Sequence, residues 1–86
     1  MAIEQQIKDI LTRELPGATV EVERDTDSGK VGGRIIWDGF AGTNKLRRQN
    51  RIFGLLRRHL TTAQTQEISF IFTYTTEDFA NLQAAV

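Results

Sequence analysis

The sequence contains no cysteine and, among its 86 residues, a single proline. Without cysteine, the chain cannot form disulfides, thiol nucleophiles or thiolate metal sites. No apolar run approaches the roughly 18 to 20 residues that a membrane span needs. The acids near the N-terminus are unlike a secretory signal. We therefore expect one cytoplasmic domain over residues 1–86, with no membrane association, no metal and no cofactor.

Groups that carry catalysis are also scarce. The only histidine, His59, has no evident orienting partner and is expected at the surface near a helix end. No serine lies in a nucleophile elbow, and no phosphate-binding loop is present. Asp25 and Asp27 lie in D-T-D-S-G, which lacks the rest of a calcium loop and is typical of a turn. These observations predict a protein that is not an enzyme.

Acidic residues are absent from residues 39–60, which carry six basic ones. Residues 1–38 carry five basic and eight acidic residues, and residues 61–86 carry three acidic residues and no basic one. The formal net charge of zero thus combines segments of −3, +6 and −3. A concentrated cationic segment in a neutral chain indicates a surface for an anionic partner.

Hydrophobic periodicity predicts the element order α-β-β-α-β-α. Helices are expected over about residues 2–15, over about 45–60 and after Thr75; strands are expected over about 18–24, 31–38 and 68–74. The first two strands would form an antiparallel hairpin, and the middle helix would lead to the third. This order predicts an α+β domain with a three-stranded mixed sheet packed against helices.

Four local features refine this prediction. Gly32-Gly33 indicates a bulge or a close backbone approach in the second strand, and Thr61–Gln66 is expected to be a polar loop. In the third strand, one alternating set is expected to share a face: Ile68, Phe70, Phe72 and Tyr74. The last helix would begin with a hydroxyl cap and acids, and its expected apolar face is Phe79, Leu82 and Val86.

The middle helix is predicted to be amphipathic. Its expected core-facing arc spans roughly 120° and contains Leu46, Ile52, Phe53, Leu56 and Leu60. An opposite arc of about 100° contains Arg47, Arg48, Arg51 and Arg58. Either Thr43 or Asn44 would cap the helix. Gly54, which costs about 1 kcal/mol in a helix, either allows close packing or divides the segment in two.

Several motifs together resemble the BolA family of small stress-response and iron–sulfur-associated proteins. They are D-G-F-A-G (38–42), Arg48 followed by Ile52, Leu56 and Leu60, and I-S-F-I-F-T-Y-T-T-E-D-F (68–79). The likeness covers nearly the whole chain. It implies a BolA fold, similar to the type II KH nucleic-acid-binding domain, and a regulatory role in transcription or the stress response. It also implies a monothiol glutaredoxin as a partner.

The chain departs from the family at the histidines that ligate a shared iron–sulfur cluster. The resemblance places those histidines at Lys30, at Gln49, and at Gln66 or Glu67. Imidazole nitrogen ligates iron well, whereas an amide or an ammonium group does not. The cluster-ligand role is therefore not expected here, and Gln49 is interpreted as a hydrogen-bonding residue in or beside the core.

Guanidinium groups bind phosphate oxygens bidentately, so the middle helix can bind nucleic acid. The predicted contact residues are Asn44, Lys45, Arg47, Arg48, Arg51 and Arg58. The alternative is a solvated face whose charge is balanced by hairpin carboxylates such as Glu21, Glu23, Asp25 or Asp27. A second alternative for function is a protein-interaction module of the glutaredoxin-binding type, without its own cluster ligand.

Smaller features leave two interpretations each. Trp37 and Tyr74 either stack on bases or fill the core and its edge. Gly39 and Gly42 match the Gly-x-x-Gly of KH domains, a common pattern of low specificity. The sequence does not indicate an oligomeric state.

Overall fold

A computed structural model describes residues 2–84 of the chain. Its elements are α1 (Ile3–Glu14), β1 (Thr19–Arg24), β2 (Val31–Ile36), a single 3-10 turn (Asp38–Phe40), α2 (Lys45–His59), α3 (Thr62–Gln66), β3 (Ile68–Tyr74) and α4 (Thr76–Ala84). The predicted α+β class and the order α-β-β-α-β-α are confirmed, with α3 as an additional short helix.

The first helix forms because its apolar residues recur at helical spacing and all reach the core. Ile3, Ile7, Ile10 and Leu11 are buried. Side chains spaced three and four residues apart lie on one face of a helix, so this stripe packs inward as a unit. The helix ends at Glu14, just before Pro16-Gly17.

The sheet has the strand order β1-β2-β3. β1 and β2 pair as the predicted antiparallel hairpin, in a register that sets Val20 opposite Ile35. β3 pairs in parallel with β2, which makes the sheet mixed and requires the crossover through α2. In this arrangement β3 is an edge strand.

Gly32-Gly33 produces both effects that the sequence indicated. The β2–β3 register shifts between Val31 and Gly32, and a Cβ on Gly33 would collide with the backbone carbonyl oxygen of Glu21. The strands therefore approach closely at Gly33, where a side chain would force them apart.

The register shift also corrects the predicted alternation in β3. Ile68 does not share a face with the aromatic residues: Ile68 and Ile71 are buried, whereas Phe70 and Phe72 are each 52% exposed. The irregularity beside Ser69 inserts a residue and reverses the sequence of faces, as bulges do.

The core lies between α1, α2 and one face of the sheet. Its largest fully buried side chains include Phe40, Ile7, Leu11, Ile35, Ile52 and Leu56. Ile52 and Leu56 occupy consecutive turns of α2, and Leu60 at its C-cap is also buried. α2 thus lies across the sheet with one face fixed by packing, which determines the face that it presents to solvent.

The expected polar loop at Thr61–Gln66 is wrong, since residues 62–66 form α3. Thr61 caps this helix: its hydroxyl accepts from the Gln64 N–H at 3.1 Å, and the Gln64 side chain accepts from the Thr61 N–H at 2.9 Å. This reciprocal capping box satisfies two backbone donors, which stabilises a helix of a single turn.

The last helix begins as predicted. The Thr75 hydroxyl accepts from the Asp78 N–H at 3.0 Å, and Asp78 accepts from the Thr75 N–H at 3.1 Å. Its predicted apolar face is only partly correct, because Phe79 is half-buried but Leu82 is 49% exposed. Val86 lies outside the described residues.

Candidate nucleic-acid interface

The solvent side of α2 carries a continuous group of basic side chains, which we call the outer arginine face: Arg47, Arg51 and Arg58. All three are exposed. Arg51 follows Arg47 by one turn and Arg58 follows Arg51 by two, so they share one side of the helix. At 1.5 Å per residue they span about 16 Å along its axis.

Asn44 caps this helix, as one of the two predicted alternatives. Its Oδ1 accepts from the Arg47 N–H at 2.8 Å, which fixes the first turn and leaves the Asn44 side chain at the surface beside Lys45. Thr43 instead donates its hydroxyl proton to the Phe40 carbonyl at 2.5 Å.

The basic side chains of α2 that face solvent have no acidic partner. Among residues 2–84, no ion pair includes Lys45, Arg47, Arg51, Arg57 or Arg58. A cluster of exposed like charges raises the local potential and attracts anions. The structure therefore brings Arg47, Arg51 and Arg58 together as unpaired cations. Lys45 is also unpaired, but it lies at the first turn of α2 on the side of Arg48, about 160° around the helix from Arg47.

Two of the hairpin carboxylates that the alternative interpretation set against these cations have other partners, and none of the four forms an ion pair with α2 within residues 2–84. Glu21 pairs with Arg34 at 2.7 Å within the sheet. Asp25 accepts hydrogen bonds from the Asp27 backbone N–H and the Ser28 hydroxyl within its own turn. The first of these bonds is the main reason that the pKa of Asp25 is lowered. The interpretation as a charge-balanced face does not fit this arrangement.

Arg51 is held in position by an aromatic ring. Its guanidinium carbon lies 4.9 Å from the centroid of Trp37, a favourable cation–π distance. Trp37 is fixed in turn, because its indole N–H donates to the Pro16 carbonyl at 3.0 Å and its ring meets Phe40 edge-on. A guanidinium that stacks on a ring keeps its in-plane N–H groups free for a phosphate.

The predicted place of Arg48 on the outer face is wrong. Arg48 is 9% exposed and lies on the inner side of α2. Its Nε donates to the Thr43 carbonyl at 3.0 Å, and its Nη1 donates to Asp78 at 3.0 Å and to the Thr73 carbonyl at 3.4 Å. The Arg48 side chain thus joins α2, β3 and α4, and it is not available to a phosphate.

The contact of Arg48 with Asp78 also affects the carboxylate. The pKa of Asp78 is lowered, mainly because Asp78 accepts from the Thr75 backbone N–H and secondly because it accepts from the Arg48 guanidinium. Hydrogen bonds to the charged form of a carboxyl favour that form. Asp78 is therefore an ionised partner for Arg48 at neutral pH.

A second correction has the same cause. Leu46, predicted to face the core, is 69% exposed. The buried arc of α2 is turned toward Arg48, which stands one turn before Ile52 and two turns before Leu56. That rotation brings Arg48 in and leaves Leu46 out.

The Gly-x-x-Gly pattern has structural causes. A Cβ on Gly39 would collide with the Trp37 ring, and Gly42 has a φ of +80°, which disfavours other residues. Phe40 between them is buried. Trp37 is half-buried at the edge of the core, as one of its two interpretations predicted.

The positions where the resemblance places ligand histidines do not fit an iron–sulfur cluster. Lys30 and Gln66 do come together, but the Lys30 ammonium group donates to the Gln66 carbonyl at 2.8 Å. Gln49 lies elsewhere and donates to the Ile71 carbonyl at 2.6 Å, as expected for a hydrogen-bonding residue. Neither an ammonium nor an amide group is an effective ligand for iron, and the carboxylate of Glu67, the alternative to Gln66, pairs with Arg24 at 3.4 Å.

Between residues 2 and 84 no group of three or more His, Cys, Asp or Glu side chains is placed to hold a metal ion. None of the described helices combines the length and the hydrophobicity that crossing a membrane requires. His59 lies at the surface at the end of α2, with its Nε2 3.5 Å from Glu14.

An aromatic surface that sequence reasoning did not identify lies on the face of the sheet away from α1 and α2. The rings of Phe70 and Phe72 are 4.8 Å apart, and Tyr74 continues the row at 6.2 Å from Phe72. At its end Tyr74 contacts Phe79 of α4. We call Phe70, Phe72 and Tyr74 the aromatic row. The signal was present as three aromatic residues at a spacing of two, but the sequence did not show which face was buried.

Known proteins share this architecture. The BolA domain of SufE1 from Arabidopsis thaliana is 24% identical, with a TM-score of 0.72 over 90% of this chain and 95% of that chain. BolA1 from Arabidopsis thaliana is 19% identical, with a TM-score of 0.66 over 87% of this chain and 90% of its own. A bol-like protein from Babesia bovis is 14% identical, with a TM-score of 0.61 over 96% and 95% of the two chains.

No protein-family model matches the sequence, and no curated protein matches it either. The likeness is therefore one of structure, over nearly the full length of both partners in each pair. It confirms what the motifs at 38–42 and 68–79 indicated: this chain has the fold of the BolA domains.

Proposed function

We propose that residues 1–86 form one non-enzymatic, BolA-like regulatory module that acts in the cytoplasm and binds nucleic acid through α2. The contact residues are Lys45 and the outer arginine face, with Asn44 at the helix cap. One observation carries the proposal: these basic side chains are exposed and lack an acidic partner within residues 2–84. The roles in transcription and the stress response belong to the same proposal.

The chemistry of this face suits phosphodiesters better than isolated anions. Its cations extend over about 16 Å of helix, which exceeds the size of a single phosphate and matches a row of them. Phosphate contacts supply most of the sequence-independent affinity of nucleic-acid-binding proteins. Arg51, stacked on Trp37, is already ordered before binding, so less entropy is lost when it engages a phosphate.

Salt dependence tests this proposal directly. Fluorescence anisotropy would use labelled 20-nucleotide single-stranded DNA, duplex DNA and single-stranded RNA. Four phosphate contacts predict about a 100-fold loss of affinity for the duplex between 50 and 200 mM salt. Absence of salt-dependent binding to all three probes would contradict the proposal.

A charge-reversal pair locates the surface. Arg47→Glu/Arg51→Glu should abolish binding, because two of the four cations become anions. Lys8→Glu/Arg13→Glu is the matched control, since it changes the net charge equally at exposed positions of α1. Equal loss in both variants would show a general charge effect, and undiminished binding by the α2 variant would exclude this helix.

A second candidate function rests on the aromatic row. Phe70 and Phe72 are both half-exposed on one face, and adjacent exposed aromatic side chains mark protein-interaction sites. The candidate is a protein-interaction module whose partner is a monothiol glutaredoxin, without a cluster ligand from this chain. A colourless complex that co-elutes with such a glutaredoxin, and is lost in Phe70→Ser/Phe72→Ser, would support it. Failure to co-elute would contradict it.

A further inference from the structure

Gly54 lies in the middle of α2, where glycine is unfavourable and no packing contact requires it. The helix continues through it from Lys45 to His59, so the alternative that Gly54 divides the helix is wrong. A Cβ at Gly54 would meet nothing within 4 Å, and its φ is not positive. Close packing and a special backbone conformation are therefore both excluded as reasons for this glycine.

The position of Gly54 on the helix surface supplies another reason. Its neighbours three and four residues away are Asn50, Arg51, Arg57 and Arg58, and all four are exposed. With no side chain of its own, Gly54 leaves a gap whose floor is the helix backbone and whose walls are polar and cationic. We call this the Gly54 gap.

We propose that the Gly54 gap seats a phosphate of the nucleic-acid backbone, with Arg57 as an additional contact residue. The inference rests on the proposed nucleic-acid function and places its closest contact. Arg57 and Arg58 lie one turn C-terminal to Gly54, and because helical side chains lean toward the N-terminus these two can reach the gap. Within residues 2–84, neither Arg57 nor Arg58 has an ion pair that would compete.

The missing side chain at position 54 matters because a phosphate group is bulky. Its oxygens must come within hydrogen-bond distance of several guanidinium groups at once. Glycine permits the close approach of a backbone or a ligand that any side chain would hold off. A side chain at position 54 would displace the phosphate outward and lengthen its bonds to Arg57 and Arg58. The free energy lost by having glycine in a helix is thus offset on binding.

The test fills the gap without changing the charge. Gly54→Gln adds a neutral side chain that favours helix. Its thermal midpoint should rise above that of the wild type, while its affinity for the labelled 20-nucleotide probes should fall by at least about 10-fold. The salt slope should drop by about one phosphate contact. Ala80→Gln is the matched control, since it adds the same side chain at an exposed position of α4.

The outcomes separate this inference from the function on which it rests. Suppose that the wild type binds with salt dependence and that Arg47→Glu/Arg51→Glu does not bind. If Gly54→Gln then binds like the wild type, the phosphate site at the Gly54 gap is contradicted and the proposed nucleic-acid function stands. If the wild type does not bind any of the three probes, both are overturned. Arg57→Gln should lower affinity and the salt slope as Gly54→Gln does, and wild-type binding by Arg57→Gln would remove Arg57 from the site.

Discussion

Arginine occurs on both sides of α2, and the two sides use it differently. Arg48 is buried and donates to the Thr43 carbonyl and to Asp78, whereas Arg47 and Arg58 are exposed and have no ion pair within residues 2–84. The same residue type is structural where carbonyls and a carboxylate converge on it, and it is available to a ligand where nothing faces it. A count of basic residues in this segment does not distinguish the two.

The comparison is tested most strongly by removing the guanidinium from each side. Arg48→Met keeps an apolar side chain of similar length but leaves the Thr43 carbonyl and the Asp78 carboxylate without their donor. We expect the free energy of unfolding to fall by about 1.5 to 3 kcal/mol, the range for hydrogen bonds to charged groups. Urea denaturation measures it. Arg58→Met should change it by less than about 0.5 kcal/mol, and equal effects on the two sides would break the distinction.

Acid should reduce the contribution that Asp78, the partner of Arg48 on the inner side of α2, makes to the stability of the fold. The pKa of Asp78 lies below its ordinary value of 3.8 in the folded chain, so its ionised form stabilises the fold. This contribution is complete above that value and is lost as the pH falls through the lower folded pKa. In urea denaturation from about pH 6 to about pH 2, the stability difference between the wild type and Asp78→Asn should shrink on the acid side. A difference independent of pH would show that the charge of Asp78 is unimportant.

The folded protein should become more stable when Gly54, on the outer side of α2, is replaced. Gly54→Ala is expected to raise the free energy of unfolding by about 1 kcal/mol, because the added methyl group meets open space. Gly33→Ala is the matched substitution in the sheet and should lower it, since the added Cβ would collide with the Glu21 carbonyl oxygen. Denaturation curves that place both variants on the same side of the wild type would contradict this account.

The smallest effect is expected at Leu46, which the helical pattern assigned to the core. Leu46→Gln should change the free energy of unfolding by less than about 0.5 kcal/mol, as is usual for exposed positions. Leu56→Gln, at a fully buried position of the same helix, should be strongly destabilising because it buries an amide. A large loss of stability in Leu46→Gln would contradict the exposed position of Leu46 and show that its side chain packs in the core.

Much of the fold could be predicted from hydrophobic periodicity and from the turn residues that end helices and strands. Three elements follow from local patterns and form where the sequence predicted them: α1 with its apolar stripe, the hairpin around residues 25–29, and the long α2. The helix α3 was missed although Thr61 and Gln64 form a capping-box pattern, because the surrounding residues are polar and show no apolar stripe. The bulge beside Ser69 could be suspected from Gly32-Gly33, but its effect on Ile68 depends on pairing across the sheet.

The sequence predicted the positive charge of the candidate site, but it did not predict which residues of α2 belong to the exposed face. Segregated charge identified α2, and the structure places most of its basic residues at the surface without partners. Arg48 was misplaced because the centre of a buried arc cannot be fixed from one helix alone. Its partner Asp78 lies thirty residues away, and only tertiary packing brings the two together. The aromatic row was missed because alternation in β3 does not say which face is covered.

Within the described residues, α4 has no fully buried side chain, so its attachment depends on polar contacts at its first turn and on Phe79, which is half-buried beside Tyr74. Arg48 reaches Asp78 there, and Asp38 accepts from the Thr76 N–H at 2.9 Å. Segments that bury little apolar surface open at low free energy, while the sheet stays closed. The amide protons of α4 will therefore exchange with solvent deuterium as one cooperative unit, well ahead of those in β2, and loss of the Arg48 guanidinium would make that unit detach more often.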